Sequence, residues 1–124
     1  RMLMEASTHS EVPTGRALAR RAVEILEDRK GENLLLIDVT DVSNLSDYVL
    51  LVNGSSPPHL KAMWNELQHT LKQEGVHAYR KSGMPDSGWM VLDYVDVVIH
   101  ILSPEAREYY ALEELWPEAP HLEC

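Results

Sequence analysis

The stretch from Gly88 to Leu102, GWMVLDYVDVVIHIL, constrains this chain more than any other segment, because it reads as two short strands folded back on one another. With Tyr94 and Val95 as the loop, the expected pairs are Asp93 with Asp96, Leu92 with Val97, Val91 with Val98, Met90 with Ile99, and Trp89 with His100. Successive side chains of a strand point to opposite faces, so one face is aliphatic throughout: Met90, Leu92, Val97, Ile99 and Ile101. The other carries Trp89, Val91, Asp93, Asp96, Val98 and His100, a mixture of aromatic, small aliphatic and acidic groups. Two uses fit that second face. Its large aromatic and acidic groups suit a contact with a partner, while the small apolar Val91 and Val98 suit a cover by one of the protein's own helices.

The aliphatic face needs something to lie on, and the remainder of the chain supplies it. Residues 1–13 are polar and show no periodic apolar face, and are expected to form a flexible lead-in. From Thr14, a helix cap, Leu18, Ala22, Ile25 and Leu26 fall on one stripe that ends before Gly31. The runs LLLIDV at 34–39 and YVLLV at 48–52 are continuously apolar, the pattern of strands covered on both sides. The turn-rich residues 40–47 join them through a hairpin or a broader loop. A second helix starts with Ser56 as cap and Pro57 at its first position. Leu60, Met63, Trp64, Leu67 and Leu71 recur on one face of it until Gly75. VHAYR at 76–80 alternates like an edge strand, and KSGMPDSG at 81–88 reads as a loop. Ser103 and Pro104 open a short third helix, and Pro117 and Pro120 interrupt the chain beyond Trp116.

This order implies an α/β fold, layered around a mixed sheet of about five strands, with one domain over residues 14–116 and an acidic tail over 117–124. From Pro104 onward there are six Glu against one Arg, a net of −5, within a molecule whose net charge is −9. Such a surface is repelled by bare nucleic acid and anionic membrane and is drawn to a basic protein. The lone cysteine, Cys124, excludes an internal disulfide framework. With no apolar run long enough to span a bilayer, the expected setting is cytoplasmic.

Enzymatic chemistry has one foothold, the NGSS turn at 53–56, where a strand passes to a helix N-terminus whose N–H groups suit a phosphate. A nucleotide-binding or nucleotidyl-transferring enzyme is the alternative that this turn supports, set against a plain helix cap. Nucleotidyltransferases also need a pair of carboxylates two residues apart on a following strand to hold metal ions. Asp93 and Asp96 are three apart across a turn, and the next acids after Ser55 are Glu66 and Glu74 on a helix. The six histidines show neither HxH nor HExxH spacing, so neither a metal site nor a cofactor is expected.

Three segments in order, SDYVLLVNGSS at 46–56, GWMVLDYVDVVIHIL at 88–102 and SPEAREYYALEELW at 103–116, closely resemble the ribosomal silencing factor family, also called Iojap-like. The resemblance covers about residues 14–116. It implies an α/β/α sandwich akin to nucleotidyltransferases without their catalytic carboxylates. It further implies a non-enzymatic translational repressor that binds the large ribosomal subunit through its basic ribosomal protein fourteen and blocks joining of the small subunit. Contact with nucleic acid would be slight, and a homodimer of the free protein stays open. The motif positions that carry over are Asp47, Tyr48, Trp89, Asp93, Tyr94, Asp96, His100, Glu105, Arg107 and Tyr109. Of these, Trp89, Asp93, Tyr94, Asp96 and His100, together with Val91, make up the expected partner-binding surface. One position departs from the family pattern: Val95 stands where Gly is frequent, which implies a loop wider than two residues.

Overall fold

A computed structural model describes residues 12–124. The lead-in expected over 1–13 therefore lies almost wholly outside the described residues. The helices are α1 (Gly15–Asp28), α2 (Pro57–Gln73) and α3 (Pro104–Tyr110), and the strands are β1 (Glu32–Asp38), β2 (Tyr48–Asn53), β3 (Arg80–Met84), β4 (Trp89–Asp93), β5 (Val97–Leu102) and β6 (His121–Leu122). The sheet order is β3-β4-β5-β2-β1-β6, with β2 and β5 parallel and every other neighbouring pair antiparallel. This is the expected α/β class with a mixed sheet, but with six strands.

Alternation along the strands sorts nearly every apolar side chain into one of two cores. Leu36, Leu50, Val52, Met90, Leu92, Val97, Ile99 and Ile101 face α1 and α2, whose Leu18, Ala22, Leu26, Leu60, Met63, Leu67 and Leu71 close the main core. Each fully buried Leu or Ile there contributes roughly 1.5–3 kcal/mol of transfer free energy. The opposite parity, Ile37, Val39, Val49, Leu51 and Leu102, meets Ala106, Leu112 and Ala119 in a smaller second core. That second layer is only α3 and the chain after it. It covers the β1–β2 half of the outer face and leaves much of β3, β4 and β5 in contact with solvent.

Four expectations are corrected. The β4–β5 register pairs Trp89 with Leu102, Met90 with Ile101, Val91 with His100, Leu92 with Ile99 and Asp93 with Val98. The connection is thus wider than two residues, as Val95 in the usual place of Gly implied. Because the slip is an even number, every side chain keeps the face expected for it. The edge strand falls at 80–84 rather than 76–80. Val76 is buried, and its N–H completes the end of α2 on the Leu71 carbonyl, so these residues finish a helix instead of opening a strand. All five β3 residues are exposed, so only backbone pairing reveals the strand. The acidic tail is also part of the fold. Leu122 and His121 pair with Leu36 and Ile37, and the Asp38 N–H donates to the Pro120 carbonyl at 2.9 Å. The fourth concerns Tyr94 and is taken up with the site.

Candidate functional site

The outer face of β4 and β5 gathers most of the expected contact residues. Trp89, Val91, Asp93, Val98 and His100 share it, each partly exposed. The Trp89 indole N–H donates to His100 Nδ1 at 3.0 Å, which requires that nitrogen to be an unprotonated acceptor. Burial agrees, pushing the His100 pKa down to about 4, with the nearby Asp93 carboxylate opposing the shift. His100 is therefore a neutral strut under Trp89.

Tyr110 at the end of α3 packs against the indole at a tilt of 42° with ring centroids 4.5 Å apart, and Tyr109 meets Tyr110 edge-on at 4.9 Å. Tyr109 is 81 % exposed and Tyr110 48 %. Beside them Ser82, Gly83, Ser87, Trp89, Val91 and Tyr110 line a shallow, mostly apolar groove of about 320 Å³. Sequence reasoning missed Tyr110. The adjacent pair Tyr109-Tyr110, two large aromatics just before the buried Leu112, was the available signal.

What holds this aromatic cluster in place is the seating of α3. Ser103 Oγ accepts the Ala106 N–H at 3.0 Å, the expected cap. The Arg107 guanidinium donates to the Asn33 carbonyl at 2.7 Å, to Asn53 Oδ1 at 2.8 Å and to Glu113 at 3.2 Å. Three acceptors from three parts of the chain fix one turn of helix, and with it the direction of Tyr109 and Tyr110.

The hairpin tip departs from expectation. Tyr94 is only 7 % exposed and packs into the main core, so it does not belong to the contact surface. The wider connection turns it inward. Val95 at the apex adopts φ 74°, a left-handed conformation that is costly for a β-branched residue, and its N–H donates to Asp93 Oδ1 at 2.8 Å. Asp96 works mainly through its carbonyl, which accepts the N–H groups of Asp47 and Tyr48 and so starts β2 beside β5. Asp93 and Asp96 are thus engaged in the turn and do not pair.

The Gly54-Ser55 turn is filled by the protein itself. The Gly54 N–H donates to the Leu102 carbonyl at 2.9 Å and the Ser55 N–H to His59 Nδ1 at 2.9 Å. His59 Nε2 then carries the proton and donates to the Arg29 carbonyl at 2.7 Å. Ser56 Oγ takes the His59 N–H at 3.2 Å. A Cβ on Gly54 would lie 2.6 Å from Leu60 and 2.8 Å from Met63, so close packing of α2 accounts for the glycine. Among the described residues no group of three His, Cys, Asp or Glu is placed to hold a metal ion, and no helix is long and apolar enough to cross a membrane.

Comparison with known proteins gives a consistent result. Residues 12–124 match the family model described as ribosomal silencing factor during starvation. The ribosomal silencing factor RsfS of Halalkalibacterium halodurans is 31 % identical over 106 residues, 86 % of this chain and 91 % of that protein. The mouse mitochondrial assembly of ribosomal large subunit protein 1 is 30 % identical over 97 residues, 76 % of this chain but 42 % of its own length. Among solved structures, a Chromobacterium violaceum protein superposes with a TM-score of 0.79 at 32 % identity, covering 86 % of this chain and 87 % of its own. A Bacillus halodurans protein gives 0.76 at 30 % identity, covering 86 % and 97 %.

Proposed function

This chain belongs to the ribosomal silencing factor family, whose members act on the ribosome to regulate translation, and from that premise we propose that it is a non-enzymatic repressor working by steric occlusion in the cytoplasm. It binds the large ribosomal subunit through ribosomal protein fourteen, a basic protein, and the bound molecule stands where the small subunit would join.

The observation that carries this reading is the Trp89–Tyr110–Tyr109 cluster, aromatic rings in mutual contact beside a partly open sheet face in a molecule of net charge −9. Rigid aromatic side chains are the commonest anchors of protein interfaces, because they bury large area while losing little conformational freedom. Acidic groups around such an anchor steer a basic partner and repel the phosphates of ribosomal RNA. On this reading Trp89, Val91, Asp93 and His100 serve the contact with Tyr109 and Tyr110, while Tyr94 and Asp96 shape the turn beneath it. The occupied donors of the Gly54-Ser55 turn favour a structural role there over nucleotide chemistry.

Sucrose-gradient sedimentation with purified subunits tests the proposal. The protein is expected to migrate with the large subunit and not with the small one, and to be released as salt rises. Failure to migrate with the large subunit at low salt would overturn it.

A further inference from the structure

We propose that the cleft between α3 and the ends of β1 and β2 is a binding site for a small cationic amino amide, a molecule with a free α-ammonium beside a neutral carbonyl, held by Asn53, Arg107, Glu108 and Glu114. The cleft has two adjoining lobes of about 410 and 500 Å³, and Asn33, Asn53, Arg107 and Glu113 line both. Leu34 and Leu35 complete one lobe, while Glu108 and Glu114 belong to the other. Both volumes lie in the range of small-molecule sites. Trp89, Tyr109 and Tyr110 do not line the cleft, so binding here and binding through the aromatic face are measured independently.

The donors come first. Asn53 is only 4 % exposed, yet its amide is half used. Its Oδ1 accepts from Arg107 Nη1 at 2.8 Å, while its Nδ2 has no hydrogen-bond partner among the described residues. The side-chain polar atoms sealed from solvent without a partner are the Tyr94 hydroxyl and Glu113 Oε1. Asn53 Nδ2 is not one of them, so this donor opens on the cleft that its residue lines. Arg107 is half used as well: Nη1 and Nε are taken by Asn33, Asn53 and Glu113, and Nη2 has no acceptor among the described residues. Polar groups so deeply placed are normally satisfied, so two neighbouring donors without acceptors call for an acceptor from outside. One carbonyl oxygen has the two lone pairs to serve both.

Charge decides what else the ligand carries. One Arg against three Glu leaves the lining with a net of −2. Glu113 is engaged by Arg107 through Oε2 at 3.2 Å, which leaves the exposed Glu108 and Glu114, neither of them in an ion pair among the described residues. An inorganic anion would be repelled, and a simple amine would leave the Asn53 and Arg107 donors unmet. A ligand carboxylate would meet those donors but would lie beside Glu113. A neutral carbonyl next to a protonated amine satisfies both halves of the cleft. The half-buried Leu34 and Leu35 then give an apolar side chain a place to lie.

Calorimetry with L-leucinamide tests the proposal, against isoamylamine, which lacks the carbonyl, and N-acetyl-leucinamide, which lacks the ammonium. Saturable heat is expected with leucinamide, and each comparison compound should bind about tenfold more weakly or worse. Glu108→Gln/Glu114→Gln changes two exposed positions and should weaken leucinamide about fivefold at an unchanged melting temperature. Asn53→Asp keeps an acceptor for Arg107 and removes the donor, so the preference for leucinamide over isoamylamine should disappear. Absence of saturable heat with leucinamide, or equal binding of isoamylamine by the wild-type protein, would overturn the site. An unchanged affinity in the glutamine variant, or a preference that survives Asn53→Asp, would overturn it too.

Discussion

The inner and outer faces of strands β4 and β5 come from the same two strands, yet they carry opposite kinds of surface. On the inner face Met90, Leu92, Val97, Ile99 and Ile101 are sealed beneath α1 and α2. On the outer face Trp89, Val91, Asp93, Val98 and His100 stay partly open because the second helical layer stops short of them. The inner face is required to fold, and the outer face is free to be selected for contact. On the proposed function, stability and binding therefore fall to alternate residues of one hairpin.

The largest effect expected from breaking this division is on the inner side. Leu92→Ala should destabilise by about 2–5 kcal/mol, measured by urea unfolding, because a fully buried site leaves a cavity. Whatever fraction remains folded should still bind the large subunit. Trp89→Ala attacks the outer side and should weaken that binding by about 2 kcal/mol or more. The indole also packs on the second core, so a smaller loss of stability accompanies it. Tyr109→Ala separates the two effects. Its ring is largely exposed, so binding should weaken while the melting temperature stays put, and the opposite pattern would assign Tyr109 to the fold.

The His100 strut gives the comparison a pH dependence. Its pKa falls from the ordinary 6.5 to about 4 on folding, so between those values the unfolded chain holds more protons than the folded one. The stability it contributes is complete above pH 6.5 and is lost as pH falls toward 4, with a slope of at most about 1.4 kcal/mol per pH unit. His100→Asn keeps an acceptor for the Trp89 N–H and removes the titration, so the unfolding profile of this variant should be flatter over that range. An unchanged slope would place the linkage on other groups. The smallest effect is at the tip. Val95→Gly should relieve the left-handed strain and stabilise by about 1 kcal/mol, after the greater chain entropy of glycine is deducted.

The sequence made some of this legible and concealed the rest, for reasons that differ by element. Helix α2 was readable to its cap, because Ser56, Pro57 and the 3–4 spacing from Leu60 to Leu71 all act locally. The facing of the hairpin was readable too. Its register was not, since a wider connection with Val95 in a left-handed conformation leaves the alternation intact and betrays only itself. Tyr94 looked like an anchor by residue type, and only the extra width of the turn sends it into the core. Strands β3 and β6 escaped because neither has an apolar pattern: one is all exposed and the other is two residues after a proline. Tyr110 joined the site through α3, whose placement depends on Arg107 reaching Asn33 and Asn53 from far along the chain.

The central claim is that the open aromatic face blocks subunit joining, and light scattering during association of purified large and small subunits tests it most directly. The wild-type protein is expected to suppress the rise in scattering, and the Tyr109→Ala/Tyr110→Ala variant, shown to be folded by a cooperative thermal unfolding transition, is expected to let it proceed. Equal suppression by that variant, or no suppression by the wild type, would contradict the account.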